Sequence, residues 1–560
     1  MNPKNRIYDH ILPDLKDWPI TKFSEDRDNF IQRHIDFVLT KLVQSKLPVS
    51  ELLNKTVYLE KIRVKKFSWK VDPSDAKDFW NTLEVELRKT KDADNPEKER
   101  IKILRRIVHR YSEEIIGHFV PKTHLFARKI LTAFFKRLYN NGWGKNHKGI
   151  WGSREDLYSK IKVDGKIEEL RALFSKGTVV IVPTHYTNLD SILIAFGIDR
   201  KVGVPAFSYG AGLNLYDTEL LAYYMNRLGA YRVDRRKKNP VYLETLKSMA
   251  SLSLIEGLNH IFFPGGTRSR SGAIEEKLKL GLLNSVIDAQ RHCILNNIEQ
   301  KLFVVPLAVG YHFILEADSL INQYLKTQGK ERFVKSKKKS STIRNLLTFI
   351  RRLRKKDSEV YLSFGQPMDV LGNVVDIEGN SYDPRGNKID IKSYFSAGEK
   401  QNIDQQRESI YTRILADKIV DGFKEENIVL SSHFVSYVAF KYISELDPEA
   451  DLFDTLKREP KKIKIDKSKF LEWITFYQRE LKKLSADGKA KLSEDLTLNP
   501  EALLEKGISK VGVYHKNKVL KLRNNQFVET EDLKLLYYYH NKLVHYDLPS
   551  YTSNDLVKAV

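Results

Sequence analysis

The sequence predicts an α/β protein with helical regions before and after its sheet-bearing part. Three observations carry that expectation. From about residue 176, short β-rich runs at 179–182 (Val-Val-Ile-Val), 261–263 (Ile-Phe-Phe) and 303–305 (Phe-Val-Val) alternate with helical segments such as 239–258. That alternation is the pattern of an α/β layer. Residues 1–118 read as mostly helical, with charged, solvated stretches such as 92–106, and residues 396–560 turn helical again. The expected organisation is therefore a helical region at 1–118, a catalytic-type α/β domain at 119–395 and a helical region at 396–560.

Between these parts, 372–388 (GNVVDIEGNSYDPRGNK) is dense in Gly, Asn, Asp and Pro and reads as a loop or small hairpin closing the α/β part. The aromatic run at 535–546 reads as core packing rather than a base-stacking platform, and no internal repeat or heptad array is expected.

At 560 residues, with 41% hydrophobic and 11% aromatic content, the chain can bury more than one core. The formal charge of +23, from 95 Lys+Arg against 72 Asp+Glu, favours anionic partners: nucleic acid, anionic lipid or phosphorylated substrates. Cys293 is the single cysteine, so no intramolecular disulfide is possible, which suits a reducing cytoplasm. The first residues, MNPKNRIYDHILPDLKDW, lack the apolar core of a signal peptide, and no run of about 18 apolar residues occurs, so membrane contact is expected to be peripheral.

The candidate chemistry begins at 183–191, Pro-Thr-His-Tyr-Thr-Asn-Leu-Asp-Ser, where a β-branched run hands over to the apolar stretch 192–196. In one continuous helix His185 and Asp190 would point roughly 140° apart. They meet if His185 lies in a loop and Asp190 in the first helical turn. The carboxylate then holds one imidazole nitrogen and leaves the other as a base, the His-Asp part of a triad with a substrate hydroxyl in the serine's place. By themselves the two residues fit a surface histidine beside a helix cap as well.

Two arginine-rich segments follow: 229–235 (GAYRVDR) and 263–272 (FPGGTRSRSG). A Gly-rich turn exposes backbone N–H groups and arginine offers a forked donor. Gly265 to Ser269 with Arg235 therefore suit a phosphomonoester, or else form a basic turn on a solvated rim. The segment 304–310 (VPLAVG preceded by Val304) is apolar and extended.

Taken in order, these segments resemble the glycerolipid acyltransferase family, whose blocks are His-x-x-x-x-Asp, Gly-x-x-x-Ile/Val-x-Arg, Phe-Pro-Glu-Gly-Thr-Arg-Ser and a Val-Pro strand. The extended third block, followed by 279–284 (KLGLLN), and 364–367 (FGQP) look most like the glycerol-3-phosphate and dihydroxyacetone-phosphate acyltransferase branch. The similarity covers about 176–370, with a faint match at 427–440. It implies a central, mostly mixed sheet flanked by helices, of the glycerol-3-phosphate acyltransferase type.

The resemblance further implies O-acyl transfer from acyl-CoA or acyl-ACP to the sn-1 hydroxyl of glycerol 3-phosphate in phospholipid biosynthesis, with dihydroxyacetone phosphate or lysophosphatidic acid as alternative acceptors. His185 would be the base and Asp190 its partner. Arg235, Arg268 and Arg270 would bind the acceptor phosphate, Gly266, Thr267 and Ser269 would supply the turn and its donors, and Pro306 would shape the acyl-donor wall. The family's Glu in the third block is Gly265 here, so a carboxylate that would help position glycerol hydroxyls is missing, unless Glu275 or Glu276 approaches from downstream.

Cys293 is read as remote from the chemistry. No metal site is expected, since His540 and His545 are five apart and would not share a helical face. The segment 341–356 (STIRNLLTFIRRLRKK) puts an apolar stripe beside Arg344, Arg351, Arg352 and Arg354, the pattern of a helix lying on an anionic, cytoplasmic membrane face. The stretch 125–139 is a second such candidate, and both fit basic-rimmed core helices as well. The rival functions are a nucleic-acid binder, for which no motif is present, and a membrane-associated scaffold without catalysis.

Overall fold

The structure is a computed structural model that describes residues 6–69, 71–139, 154–216, 219–328, 358–395 and 405–551. Its centre is a seven-stranded sheet made of β1 (Ile161–Gly165), β2 (Thr178–Pro183), β3 (Ser208–Gly212), β4 (Ala230–Val233), β5 (His260–Ile261), β6 (Leu302–Tyr311) and β7 (Val360–Phe364). The strands lie in the order β1-β7-β6-β2-β5-β3-β4. Every neighbouring pair is parallel except β6 with β7. The sheet is thus mixed and flanked by helices, as the resemblance implies.

Strands β2 and β6 are buried along their whole length. This explains why 179–182 is an unbroken apolar run rather than an alternating one: a central parallel strand has a core on each face. Val179, Ile181, Val305 and Leu307 face a core shared with Phe434, Val435 and Leu536 of the C-terminal region. Val180, Val182 and Val304 face the other core, with Leu254, Val286, Ile287, Ile419 and Phe423. The helix Pro240–Ile255 starts where the sequence predicts, because the Asn239 side chain accepts from Tyr242 N–H (2.8 Å) and Pro240 occupies the first turn.

Neither flanking region stands clear of the sheet. The N-terminal helices Arg27–Val43, Val49–Lys66, Ala76–Lys89 and Pro96–Ile115 bury Phe30, Leu53, Leu83 and Ile107 in one core with Tyr231, Tyr242 and Met249. The C-terminal helices Gln405–Glu426 and Ser431–Glu445 pack on opposite faces of the sheet. Tyr538 and Tyr539, in the helix Leu533–His540, are fully buried, so the aromatic run is core packing. The C-terminal region is not purely helical: Ile465–Asp466, Lys521–Arg523 and Phe527–Glu529 form a three-stranded sheet, too short to show as strand runs in the sequence.

The segment after β7 also corrects an expectation, because it does contain a repeat. Asp369, Asp376 and Asp383 each start an Asp-x-x-Gly-Asn unit seven residues apart. In each unit the Asp carboxylate accepts backbone N–H groups two and four residues on, and the Asn amide donates back to it. Gly372, Gly379 and Gly386 take the left-handed conformation that each turn requires, with φ of 86°, 74° and 82°. The result is a small antiparallel meander of Val374–Val375, Ser381–Tyr382 and Lys388–Ile389. Among the described residues no helix is long and apolar enough to cross a membrane.

Five histidines, His34, His260, His312, His433 and His540, are buried. Burial penalises their charged form and pushes their pKa values down, to about 4 for His34 and His540 and to about 3 for His260 and His433. His312 is also lowered, by burial first and then by Lys510. An unfolded chain takes up protons on these rings near pH 6.5, whereas the folded chain does not until far lower pH. Acidification therefore favours unfolding, by up to about 1.4 kcal/mol per pH unit per histidine. The Tm measured by scanning calorimetry is expected to fall steadily from pH 6.5 towards pH 4; a Tm independent of pH over that window would contradict the burial of these rings uncharged.

Candidate active site

Strand β2 ends at Pro183, and the loop 184–189 carries the chain into the helix Asp190–Gly197. Asp190 is fully buried, and its carboxylate organises the loop that precedes it. Oδ2 accepts from His185 Nδ1 (2.8 Å), Tyr186 N–H (2.6 Å) and Thr187 N–H (2.9 Å), while Oδ1 accepts from the Tyr311 hydroxyl on β6 (2.7 Å). Because the carboxylate is acceptor-only, the network places the imidazole proton on Nδ1 and leaves Nε2 as the basic lone pair. The ring packs on Phe263, with centroids 4.2 Å apart, and is one-fifth exposed. His185 and Asp190 therefore meet as the spacing predicts.

The third block is tied to the same loop. Ser269 N–H donates to the His185 carbonyl (2.7 Å), and Gly266, at φ 71°, turns the chain with its N–H on the Phe263 carbonyl (3.0 Å). Arg235 donates to the Gly266 carbonyl, which brings the second block beside the third. Arg268 pairs with Glu316 (3.1 Å), and Glu316 also accepts from the Thr187 hydroxyl (2.7 Å) and Asn188 N–H (3.1 Å). Thr267 and Arg270 are exposed and make no hydrogen bond among the described residues.

This geometry changes several expected roles. Gly266 N–H and Ser269 N–H are already engaged, and the Ser269 hydroxyl donates to the Ala273 carbonyl (2.7 Å), so these two residues shape the turn. The remaining donors for an anion are the guanidinium groups of Arg235, Arg268 and Arg270 and the exposed Thr267. Pro306 does not line an open wall. It is buried opposite Val182, against Gly365 and Gly422, where a Cβ on Gly422 would lie 2.8 Å from the ring. Its role is close packing of the helix Gln405–Glu426 on the sheet.

The residues that follow Arg235 are held by the N-terminal region. Next to it, Arg236 pairs with Asp72 (2.5 Å) and Asp234 (2.7 Å), and Lys237 pairs with Glu114. Asn239 donates to Glu60 (3.0 Å) and Tyr111 (3.0 Å). Glu60 is buried and also pairs with the buried Arg63 (2.8 Å).

Three residues near the site carried no signal in the sequence, because each arrives from far along the chain. Tyr311 and Glu316 come from the end of β6 and the turn beyond it. Lys542, only 2% exposed, comes from the 3-10 turn Asn541–Tyr546, its ammonium against the Tyr186 ring. Burial lowers the Lys542 pKa well below the usual lysine range, opposed by the charges of Asp190 and Glu275.

Cys293 is fully buried in the core of the helix Leu280–Leu295, and burial raises its thiol pKa to about 11, so it is not a nucleophile. Among the described residues no group of three or more His, Cys, Asp or Glu side chains is arranged to hold a metal ion. Arg344, Arg351, Arg352 and Arg354 lie outside the described residues. The second interfacial candidate lies on the helix Pro121–Tyr139, which buries Phe135 and Leu138 but leaves Leu125, Phe126 and Ile130 exposed.

Residues 160–310 match the family model described as Acyltransferase. The sheet and its His-Asp loop thus form an acyltransferase domain. The chain is 26% identical to the glycerol-3-phosphate acyltransferase of Pseudoalteromonas translucida over 61% of this chain and 39% of that one. It is also 26% identical to those of Alteromonas mediterranea, over 47% and 29%, and Aeromonas hydrophila, over 44% and 28%. The acyltransferase match is confined to residues 160–310, and the chain spans about two fifths or less of the length of the glycerol-3-phosphate acyltransferases to which it is similar. A solved 1-acyl-sn-glycerophosphate (LPA) acyltransferase from Thermotoga maritima overlaps 65% of this chain and 94% of its own at 13% identity with a TM-score of 0.22, too loose an overlap to bear on either fold or function.

The Glu60→Ala variant removes one of the two carboxylates paired with the buried Arg63, which keeps Asp72 (2.9 Å), and one of the two acceptors of the Asn239 amide, which keeps Tyr111. It is expected to destabilise the chain by roughly 1–3 kcal/mol in urea unfolding. An unchanged urea midpoint would show that this network does not hold the second block.

Proposed function

We propose that this chain transfers a fatty acyl group from a coenzyme A or acyl-carrier-protein thioester to the sn-1 hydroxyl of glycerol 3-phosphate, in phospholipid biosynthesis, at the cytoplasmic face of a membrane. The observation that carries the reading is the Asp190-held imidazole of His185, beside a turn that carries Arg268 and is met by Arg235 from the second block. The curated relatives support the acceptor.

In this reaction His185 Nε2 takes the proton of the acceptor hydroxyl as its oxygen attacks the thioester carbonyl. The tetrahedral intermediate collapses by breaking the C–S bond, and His185 returns its proton to the departing thiolate. The products are the acyl ester and free thiol. Asp190 stabilises the transient imidazolium and fixes the tautomer, so no covalent acyl-enzyme is needed. The arginines complement the acceptor phosphate, for which a planar forked donor is suited. Peripheral docking is supported by exposed Leu125, Phe126 and Ile130, interspersed with exposed Lys122 and Lys129.

Purified protein is assayed for thiol release from acyl-CoA and acyl-ACP with glycerol 3-phosphate, dihydroxyacetone phosphate and lysophosphatidic acid in parallel. Glycerol 3-phosphate is expected to give the highest kcat/KM. Turnover with lysophosphatidic acid alone would overturn the acceptor assignment. His185→Ala is expected to abolish turnover with its Tm retained, and an active variant would refute the base. Asp190→Asn is expected to lower kcat by roughly 10³–10⁴, the scale seen when a triad histidine loses its orienting carboxylate; a fall under tenfold would remove Asp190 from the mechanism.

A further inference from the structure

The position of Gly265 has a specific consequence. A Cβ placed on Gly265 would lie 2.1 Å from both carboxylate oxygens of Glu275 and 2.2 Å from its Cδ. The carboxyl group of Glu275 therefore occupies the space in which any side chain at 265 would begin. Neighbouring Glu276 is exposed and takes no part. A side chain at 265 and the observed position of Glu275 exclude each other, so a carboxyl group enters the third block from ten residues downstream, at the point where a side chain at 265 would start.

The surroundings of Glu275 are those of an incomplete binding site. Its Oε2 is buried and, among the described residues, has no hydrogen-bond partner. Leaving such a group unpaired is costly, and a hydroxyl-bearing ligand recovers that cost on binding. It lies in the electrostatic neighbourhood of Asp190, Tyr186 and Lys542. Its pKa is raised to about 8, first by burial and then by Asp190, with Lys542 acting in the opposite sense. The buried Lys542 amine lies within electrostatic reach of both acids, and among the described residues it makes no ion pair with either.

We propose that Glu275 is the group that positions the acceptor, its free oxygen bonding the acceptor hydroxyl that does not react, in the space that Gly265 leaves open. The inference rests on the acyl-transfer reading for the identity of the acceptor. A site built to pair a hydroxyl rejects an analogue lacking it far more strongly than an apolar pocket would. Glu275 therefore makes the site select vicinal-diol phosphates over simple hydroxyalkyl phosphates.

The test is calorimetric binding of glycerol 3-phosphate and of 3-hydroxypropyl phosphate, which lacks the middle hydroxyl, to the full chain, with turnover measured separately. Wild type is expected to bind glycerol 3-phosphate at least about 10-fold more tightly than the analogue. Folded Glu275→Ala is expected to bind both within about 3-fold of each other, and Glu275→Gln to keep part of the preference. Gly265→Glu alone is expected to lose binding, because two carboxyl groups compete for one space. Gly265→Glu/Glu275→Ala is expected to regain both binding and preference.

A folded Glu275→Ala, or a folded Glu275→Gln should the first not fold, that keeps the full wild-type preference overturns the proposal. So does a double variant no better than Gly265→Glu, or a wild type that does not distinguish the two ligands. Selective binding without turnover sinks the acyl-transfer reading and leaves the positioning role standing; turnover without selectivity does the reverse.

Discussion

The structure depends on one buried carboxylate. Asp190 is removed from water and compensated by four donors, of which two are backbone N–H groups of the loop it closes, one is the tyrosine hydroxyl of a neighbouring strand and one is the imidazole. An ionised carboxylate in that position is tolerable only with its donors in place, since unpaired buried charge is far costlier than a lost neutral hydrogen bond. The same four bonds fold the loop 184–189, tie the start of the helix Asp190–Gly197 to β6 through Tyr311 and orient the base. Local structure, sheet packing and chemistry therefore share a single set of contacts.

Both flanking regions reach the site through charge. From the N-terminal side, Glu60, Asp72 and Glu114 hold Asn239, Arg236 and Lys237, the residues just after Arg235, so the end of the second block is positioned by helices far upstream in the sequence. From the C-terminal side, the buried Lys542 amine packs on Tyr186 within electrostatic reach of Asp190 and Glu275, and the helices around it seal one face of the sheet. The matched family segment, 160–310, contains the dyad and the arginine-bearing turns but neither of these supports. That is the physical reason for the chain to carry so much structure outside it.

Legibility in the sequence followed the range of the interaction. The β2 run, the capped start of the helix at Asn239 and the meeting of His185 with Asp190 all depend on residues within about ten positions, and each was readable. The three Asp-x-x-Gly-Asn units are equally local and stood in plain view at 369–387, obscured by the habit of reading Gly-Asn-Asp-rich sequence as loop. Glu275 was readable only as one of two candidates, because choosing it over Glu276 requires knowing which side of the turn faces inward. Tyr311, Glu316 and Lys542 were not readable, since a contact across 120 residues or more leaves no periodicity or spacing behind. Pro306 misled because a Val-Pro strand looks the same from the sequence whether its proline faces a ligand or a helix.

The central claim is that Asp190 fixes His185 with its proton on Nδ1 and its lone pair on Nε2. The direct measurement is the side-chain ¹⁵N spectrum of the histidine-labelled chain at alkaline pH, with the His185 signals assigned by difference against His185→Gln. The account predicts a protonated Nδ1, with a downfield proton typical of a bond to carboxylate, and an unprotonated Nε2. A ring protonated on Nε2 instead, or averaging between the two tautomers, would contradict it.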